Sequence, residues 1–440
     1  MRSFKYIYII SALALLLNSC ATPGEIYDPN DLSYLYNPLK NPIHPSYRIF
    51  NTSGDLSELS IRFFSNELFF SEANPEGVPK AQLAVIYRIF NMSLGRVPID
   101  TGIINITIRK DPGKRFYTYN FPLKSEWGSK YEAELMVKDI IRNLTVQAHL
   151  PFDKTSEINR YSFKVLGHFG KEDVYSPVLH EYDYINILYP REEIDTIFLK
   201  YYEPFDITPI PPSMLMPELE LNTTPLNILT IPYSDTLPMI FPKRGVYHFT
   251  LDTNSLEGYS FFNFGSDYPG MSNPEHMIEP LIYLINEEDL NEIMSNAYPK
   301  LALDDFWLKI TGNIERSREL IRIYYNRVLY ANYFFASYKE GWRTDRGMIY
   351  IIYGPPDKVY KSADAERWGY RKAVIKSGWG ATRVKVENDY LYFTFRKRVN
   401  PFSSQDYTLL RSESITTYWD VAVRTWRSGI VFRLDNPLDY

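Results

Sequence analysis

The spacing of apolar residues changes near residue 275, and this change limits what the chain can fold into. From about 46 to 272, short runs alternate apolar and polar side chains, as in Leu59-Ser60-Ile61-Arg62-Phe63. Such runs, bounded by Asn, Gly, Pro or Asp, predict strands of half-buried antiparallel sheets. After 275, apolar residues recur at three- and four-residue steps, which predicts helices. The chain is therefore predicted to be multidomain, with two β-sandwich (Ig-like) domains at 46–158 and 159–272 and an α+β domain at 273–440.

Local patterns predict individual elements within this plan. Residues 131–143 fit either a strand plus a turn or an amphipathic helix, and we favour the strand. Eight prolines from Pro209 to Pro242 predict a long loop. A long helix is expected to begin after Asn313, which suits an N-cap. The apolar run Met348–Tyr353 and the run Tyr390–Phe395 predict strands. A last helix is expected over Thr416–Trp426.

The N-terminus has the pattern of a secretory signal. Arg2 and Lys5 precede the apolar run Ile7–Leu17, and Cys20, the sole cysteine, follows. This run of eleven residues rises roughly 16 Å as a helix, about half of a bilayer core, so a lasting membrane span is not expected. We predict a lipoprotein signal peptide over 1–19. The string Leu17-Asn18-Ser19-Cys20 resembles the relaxed lipobox of Bacteroidetes, which implies lipidation of Cys20.

A proline-rich tether is predicted over residues 20–45. Its five prolines, Pro23, Pro29, Pro38, Pro42 and Pro45, oppose any helix or central strand. Tyrosines in the same stretch provide apolar area, so we expect part of it to dock on the folded body; these are Tyr27, Tyr34 and Tyr36.

Several classes of chemistry are not supported by the sequence. Once Cys20 is acylated, no thiol remains for a disulfide, a nucleophile or a thiolate metal site. The net charge of −5 and the absence of a basic stretch argue against nucleic acid as a partner. The six histidines are not spaced as zinc ligands, and no nucleotide-binding glycine motif or GxSxG elbow occurs. We therefore expect no cofactor and no metal.

The most specific motif is the string Gly341-Trp342-Arg343-Thr344-Asp345-Arg346-Gly347, followed by Gly354-Pro355-Pro356-Asp357. Phe306-Trp307 and Tyr325–Asn332 precede it. Together these strings resemble the GWxTD domain, a Bacteroidetes-associated family named for its Gly-Trp-x-Thr-Asp sequence. The resemblance implies a fold and an envelope setting, but no biochemical activity.

Three roles for the motif follow from its residue types. In the favoured one it is a structural joint. There Gly341 ends the long helix with positive φ, Trp342 is a buried wedge, and Arg327 or Arg346 pairs with Asp345. In the second, the motif forms a pocket for a peptide terminus or a glycan, with candidate residues Arg327, Asn332, Trp342, Thr344, Asp345, Arg346 and Asp357. In the third, Asp345 and Asp357 are a catalytic carboxylate pair.

Two short strings offer possible modification sites. Asp195-Thr196-Ile197 and Asp235-Thr236-Leu237 resemble the Asp-Ser/Thr-apolar site of Bacteroidetes periplasmic O-glycosylation. Thr236 lies in the proline-rich loop, where a glycan meets less steric hindrance than in a strand.

The predicted function is a non-catalytic interaction or scaffold subunit of an outer-membrane assembly or secretion system. The acyl group would link it to the membrane, and an envelope protein would be its partner. Ala21-Thr22-Pro23-Gly24-Glu25 lacks the acidic run typical of Bacteroidetes surface export, which favours the periplasmic side without excluding surface exposure. The alternative is an enzyme or binding protein acting on peptidoglycan, glycan or peptide through the C-terminal domain.

Overall fold

Antiparallel sheets make up the N-terminal part of the molecule. The computed structural model describes residues 30–37, 40, 43–52, 54–72, 77–167, 170–190, 194–214, 221–372 and 390–435. Cys20, Tyr27 and the predicted signal peptide lie outside these residues.

The first group of strands forms two facing sheets. It comprises β1 (Ser46–Asn51), β2 (Leu56–Phe64), β3 (Lys80–Asn91), β4 (Val97–Arg109), β5 (Phe116–Lys124), β6 (Lys130–Asp139) and β7 (Leu144–Asp153). The sheet orders are β1-β2-β5 and β4-β3-β6-β7. Both sheets contribute to one apolar core, in which Leu59, Leu83 and Val137 are fully buried. The strand and turn predicted over 131–143 are confirmed by β6 and the turn after it.

The second group also forms two sheets around one core. It comprises β8 (Lys164–Gly167), β9 (Glu172–Asp173), β10 (Ile185–Leu188), β11 (Thr196–Tyr202), β12 (Asn227–Pro232), β13 (Gly245–Thr250) and β14 (Tyr259–Asn263). The orders are β10-β8-β9 and β12-β11-β13-β14. The prediction of one loop from Pro209 to Pro242 is wrong, because β12 lies within it. As an edge strand, β12 leaves one row of backbone groups unpaired, so it tolerates Pro232 at its end.

Helices and one sheet form the C-terminal part, as the periodicity predicts. The helices are α1 (Pro274–Ile278), α2 (Glu287–Met294), α3 (Pro299–Thr311), α4 (Ile314–Phe335), α5 (Asp345–Tyr353) and α6 (Glu413–Arg427). The strands are β15 (Lys358–Lys361), β16 (Ala365–Arg371), β17 (Tyr390–Lys397) and β18 (Tyr407–Leu410), paired in that order. The N-cap at Asn313 is confirmed, since its Oδ1 accepts from the N–H groups of Glu315 and Arg316 at 2.9 and 3.1 Å.

The prediction of a strand over Met348–Tyr353 is wrong, because these residues belong to α5. β-Branched and aromatic residues favour a strand. However, every residue of α5 is buried, and its part Met348–Tyr353 is apolar on all sides, so no polar face marks these residues as helical.

Part of the predicted tether belongs to the folded body. Ser33–Tyr36 is a short 3-10 turn, and the N–H of Leu32 donates to the carbonyl of Val359 at 2.8 Å. Leu32 and Tyr36 are buried in the same core as α4 and α5. The docking expected for Tyr34 and Tyr36 is therefore present in the structure.

An aromatic cluster connects the second β-rich region to the C-terminal part. Its members come from both regions: Tyr202, Val246, Phe262, Phe264, Tyr268, Tyr338 and Phe402. Residues Leu32–Tyr440 accordingly form one compact unit. Among the helices in the described ranges, none is long and apolar enough to cross a membrane.

Candidate functional site

The GWxTD string lies in the connection between α4 and α5. Gly341–Arg343 forms a 3-10 turn, and Thr344 is the N-cap of α5. The prediction that Gly341 ends the long helix with positive φ is wrong, because α4 ends at Phe335 and the φ of Gly341 is not in the left-handed region. A Cβ on Gly341 would lie 2.6 Å from the Cα of Asn332 and would overlap the carbonyl oxygen of Ala331. Glycine is therefore required here because the turn passes directly against α4.

Trp342 and Asn332 fix this turn to the neighbouring segments. Trp342 is fully buried, and its Nε1 donates to Glu340 Oε2 at 3.0 Å. Its N–H donates to Asn332 Oδ1 at 3.0 Å, and its carbonyl accepts from the Tyr283 hydroxyl at 2.6 Å. Asn332 Nδ2 in turn donates to the carbonyl of Pro269 at 3.0 Å. Both ends of the Asn332 amide are thus used within the protein.

Thr344 and Asp345 start α5 and attach it to the sheet. Thr344 Oγ1 accepts from the N–H of Gly347 at 3.0 Å and donates to the carbonyl of Gly341 at 2.7 Å. Asp345 Oδ2 accepts from the N–H of Leu409 in β18 at 2.7 Å. Both residues are buried, so these bonds satisfy polar groups that would otherwise lack a partner.

Arg346 forms a buried ion pair with Glu366 rather than with Asp345. Arg346 Nη1 lies 2.9 Å from Glu366 Oε1, and both side chains are 1% exposed. Lys361 Nζ lies 3.0 Å from the same oxygen, and the hydroxyl of Tyr36 donates to Oε2 at 2.8 Å. Burial alone would raise the pKa of Glu366, but the charges of Lys361 and Arg346 outweigh it and lower the pKa to about 2.

Arg327 and Asp357 bond to backbone groups elsewhere rather than to Asp345 or Arg346. Arg327 Nη1 donates to the carbonyls of Ile351 and Ile352 at 2.9 and 2.8 Å, which caps the C-terminal end of α5. Burial lowers the pKa of Arg327 to about 10. Asp357 Oδ2 accepts from the N–H of Arg371 at 2.8 Å. Arg327, Asp345, Arg346 and Asp357 thus bind four different sets of partners.

A small cavity borders Asp345. It measures about 40 Å³ and is lined also by Lys339, Arg398 and Asp406. This volume is enough for water but far below that of a substrate pocket. Burial lowers the pKa of Lys339 to about 8, and its Nζ donates to the carbonyl of Ile207 at 3.1 Å.

One group of described residues has the composition of a metal site. The ligand atoms of Glu132, Glu134 and His149 lie within 4.8 Å of one another. However, Arg96 pairs with both carboxylates, and Arg88 lies 2.7 Å from Glu134. Two guanidinium groups already balance the two carboxylates, so the cluster is explained as a cross-strand charge network.

The two candidate glycosylation threonines differ in exposure. Thr196 is half-buried at the start of β11, whereas Thr236 is exposed in a turn. An exposed hydroxyl is the better acceptor on steric grounds, so Thr236 is the one we retain as a predicted modification site.

Sequence reasoning missed Lys361, Glu366 and the bond from Tyr36. Tyr36 and Glu366 are 330 positions apart in the chain, and Arg346 and Glu366 are 20 apart. The only local signal is that Tyr36 is a tyrosine in a proline-rich segment, which indicates docking without naming its partner.

Comparisons with known proteins identify the C-terminal part. Residues 245–428 match the GWxTD domain family model. The match includes β13 and β14, whose Val246 and Phe262 pack in the aromatic cluster with Tyr338 and Phe402. No curated protein sequence matches the chain.

Among solved structures, a calcium-binding mutant of Bacteroides uniformis beta-glucuronidase 2 matches at 13% identity with a TM-score of 0.17. The match covers 32% of this chain and only 14% of that one. At this TM-score the likeness carries no argument about fold or function. The GWxTD string lies inside the matched range, so residues 245–428 of this chain are similar to the GWxTD domain family.

Proposed function

We propose that this protein is a non-catalytic interaction or scaffold subunit of an outer-membrane assembly or secretion system. It would be anchored by lipid at Cys20, face the periplasm and bind a protein of the envelope. Surface exposure is the alternative orientation.

The use of the motif's polar groups supports a non-catalytic role. Asn332, Thr344 and Asp345 each bond to backbone groups of the protein, and Arg346 pairs with Glu366. A catalytic pair of Asp345 and Asp357 needs both carboxylates at one substrate. Here they bond to different segments, and the cavity beside Asp345 admits only water. The motif therefore holds α5 against the sheet and α4.

Affinity purification from the native host tests the proposal. The tagged protein is isolated from membranes solubilised in several mild detergents, and the eluate is analysed by mass spectrometry. We expect one or more envelope proteins in constant proportion to the bait. Recovery of the bait alone in every detergent would contradict an interaction function.

A Cys20→Ser variant tests the anchor separately. We expect the wild-type protein to partition into the detergent phase and to carry an added lipid mass, and the variant to do neither. A wild-type protein without the added lipid mass would contradict the lipid anchor. The affinity purification would still test the interaction function. Intact mass also tests a glycan at Thr236.

A further inference from the structure

A large cleft lies where two sheet edges meet the C-terminal part. It consists of two adjoining cavities of about 310 and 830 Å³, which share a lining that includes Tyr47, Tyr175, Tyr259 and Arg160. The walls contain residues of β1 and β7, and each of these is the terminal strand of its sheet. The outer edge of β7 is already bonded to Tyr34 at Gln147 and to Tyr161 at Pro151, so β1 is the edge considered for pairing. Edge strands carry backbone N–H and C=O groups on the side away from their sheet, and an extended peptide can pair with them.

The charge of this cleft is strongly positive, although the chain as a whole is negative. Five cations line it, namely Arg48, Arg62, Arg160, Lys361 and Lys397, against one carboxylate, Glu132. Glu132 is already paired with Arg96 and His149, and Lys361 with Glu366. An excess of one charge in a concave wall attracts ligands of the opposite charge.

The other four cations have no carboxylate within ion-pair distance in the part of the chain that the structure describes. Arg48 and Arg160 donate to backbone carbonyls. Arg62 lies over the rings of Phe64, Phe116 and Tyr175. Burial lowers the pKa of Arg62, Arg160 and Lys397. Partly buried charges without counter-ions cost free energy, which a bound anion would offset.

Two polar atoms of the cleft also lack a hydrogen-bond partner among the described residues. They are the hydroxyl of Tyr47 and Nε of Arg62, and both atoms are buried. Buried polar groups are nearly always bonded in native proteins, so these two atoms are exceptions within the wall, beneath the surface that a ligand would contact.

We propose that this cleft binds an extended acidic segment of a partner protein. The inference rests on the interaction function proposed above and assigns its surface. Tyrosine and arginine recur in the lining of the cleft, and both are enriched, with tryptophan, at the energetic centres of protein interfaces. The edge of β1 offers N–H and C=O groups at the spacing of an extended peptide backbone, which favours a polypeptide over an acidic polysaccharide.

A direct binding experiment tests the cleft. The probe is a short fluorescent peptide of alternating Glu and Val, and the comparison peptide has Gln in place of Glu. We expect the Glu peptide to bind the full-length protein, at least about tenfold more weakly at high than at low ionic strength. The Gln peptide should not bind measurably.

Substitutions of cleft residues test whether the peptide binds in the cleft. In Arg62→Gln combined with Lys397→Gln, the two replaced side chains donate no hydrogen bond to backbone within the described ranges, so the fold should persist, as circular dichroism will check. We expect about tenfold weaker binding in this variant. The matched control is Arg318→Gln, an exposed cation on α4 that pairs with Glu315 outside the cleft, and it should bind as the wild type does.

Three results of the peptide experiments would overturn the inference. They are no binding of the Glu peptide, unchanged binding by the folded double variant, and binding of polygalacturonate but not of the peptide, which would assign the cleft to an acidic glycan. If the double variant still co-purifies with the native partner in full yield, the cleft is not the interface although the interaction function stands. If the wild type recovers no partner, the interaction function fails while the peptide result still reports on the cleft.

Discussion

At the scale of single residues, the glycine of the GWxTD string is required for space rather than for backbone conformation. Its neighbours are the backbone of Ala331 and Asn332 in the middle of a packed structure, and backbone atoms cannot rotate away as a side chain can. The same close approach recurs at Gly347, where an added Cβ would lie 2.9 Å from the carbonyl carbon of Gly341. Two glycines six positions apart thus allow the turn to pass between α4 and α5.

Replacing Gly341 by alanine should therefore be strongly destabilising. We expect Gly341→Ala to lower the free energy of unfolding by about 3 kcal/mol or more, because the methyl group overlaps fixed backbone atoms. The measurement is urea unfolding followed by tryptophan fluorescence. Gly54→Ala is the matched control, since a Cβ added there would have no atom within 4 Å and the φ of Gly54 is not in the left-handed region. The control should change stability by less than about 1 kcal/mol. Equal midpoints for the two variants would show that the turn relaxes around the methyl group.

At the scale of elements, the sequence predicted those with a clear period and missed those without one. The alternation in 46–155 predicted strands that the structure contains, and the stripe after Asn313 predicted α4. By contrast, Met348–Tyr353 is a short, uniformly apolar run, and its β-branched and aromatic residues favoured a strand. In the structure these residues are buried on all sides of a helix, which is why they show no amphipathic period. The strand β12 was also missed, because the prolines around it predicted a loop, although an edge strand tolerates proline.

In the candidate site, too, contacts between neighbouring residues could be predicted from the sequence, and contacts between distant segments could not. Local residue types favoured a structural joint, and Thr344 does bond to backbone at the turn, whereas Asp345 bonds to the N–H of Leu409 in β18. The partner of Arg346 could not be predicted, because Glu366 lies on a separate strand and Tyr36 arrives from the far end of the chain. Nothing in the sequence around Arg346 indicates that it pairs with Glu366 rather than with the adjacent Asp345. Only the packing of α5 on the sheet decides the pairing.

The start of α5 gives a test at this scale. We expect Thr344→Ala to cost about 2 kcal/mol of unfolding free energy, since the buried hydroxyl both caps Gly347 and bonds to Gly341. Thr344→Ser keeps the hydroxyl and should cost less than about 1 kcal/mol. Ser412→Ala is the comparison, because Ser412 caps α6 at an exposed helix end, where water can replace the lost bond. Urea unfolding of the three variants measures the differences. A Thr344→Ala variant as stable as Ser412→Ala would contradict the capping role.

At the scale of the whole molecule, the β-rich and helical regions share buried polar groups as well as apolar cores. His248 of β13 is fully buried, with Nδ1 2.8 Å from Ser260 Oγ and its ring against Phe402 of the C-terminal part. Burial, together with the charges of Lys200 and Arg160, lowers the pKa of His248 to about 4. Protonating this histidine therefore opposes the packing that connects the two regions.

Stability should consequently fall with acidification in a defined window. The unfolded chain binds a proton at His248 near pH 6.5, whereas the folded protein resists it until about pH 4. Between these values the unfolded state binds more protons, so the free energy of unfolding falls as the pH falls. From pH 7 to pH 5 we expect His248 to contribute a loss of about 2 kcal/mol.

The contribution of His248 can be separated from that of Glu366 by pH. The pKa of Glu366 is about 2 in the folded protein, so this group lowers stability only below about pH 4.5, when the unfolded chain takes up its proton first. Urea unfolding at several pH values measures the slope, and His248→Gln should flatten it between pH 7 and 5 while leaving the loss below pH 4.5. An unchanged slope in this variant would mean that other groups govern the acid sensitivity of the joined regions.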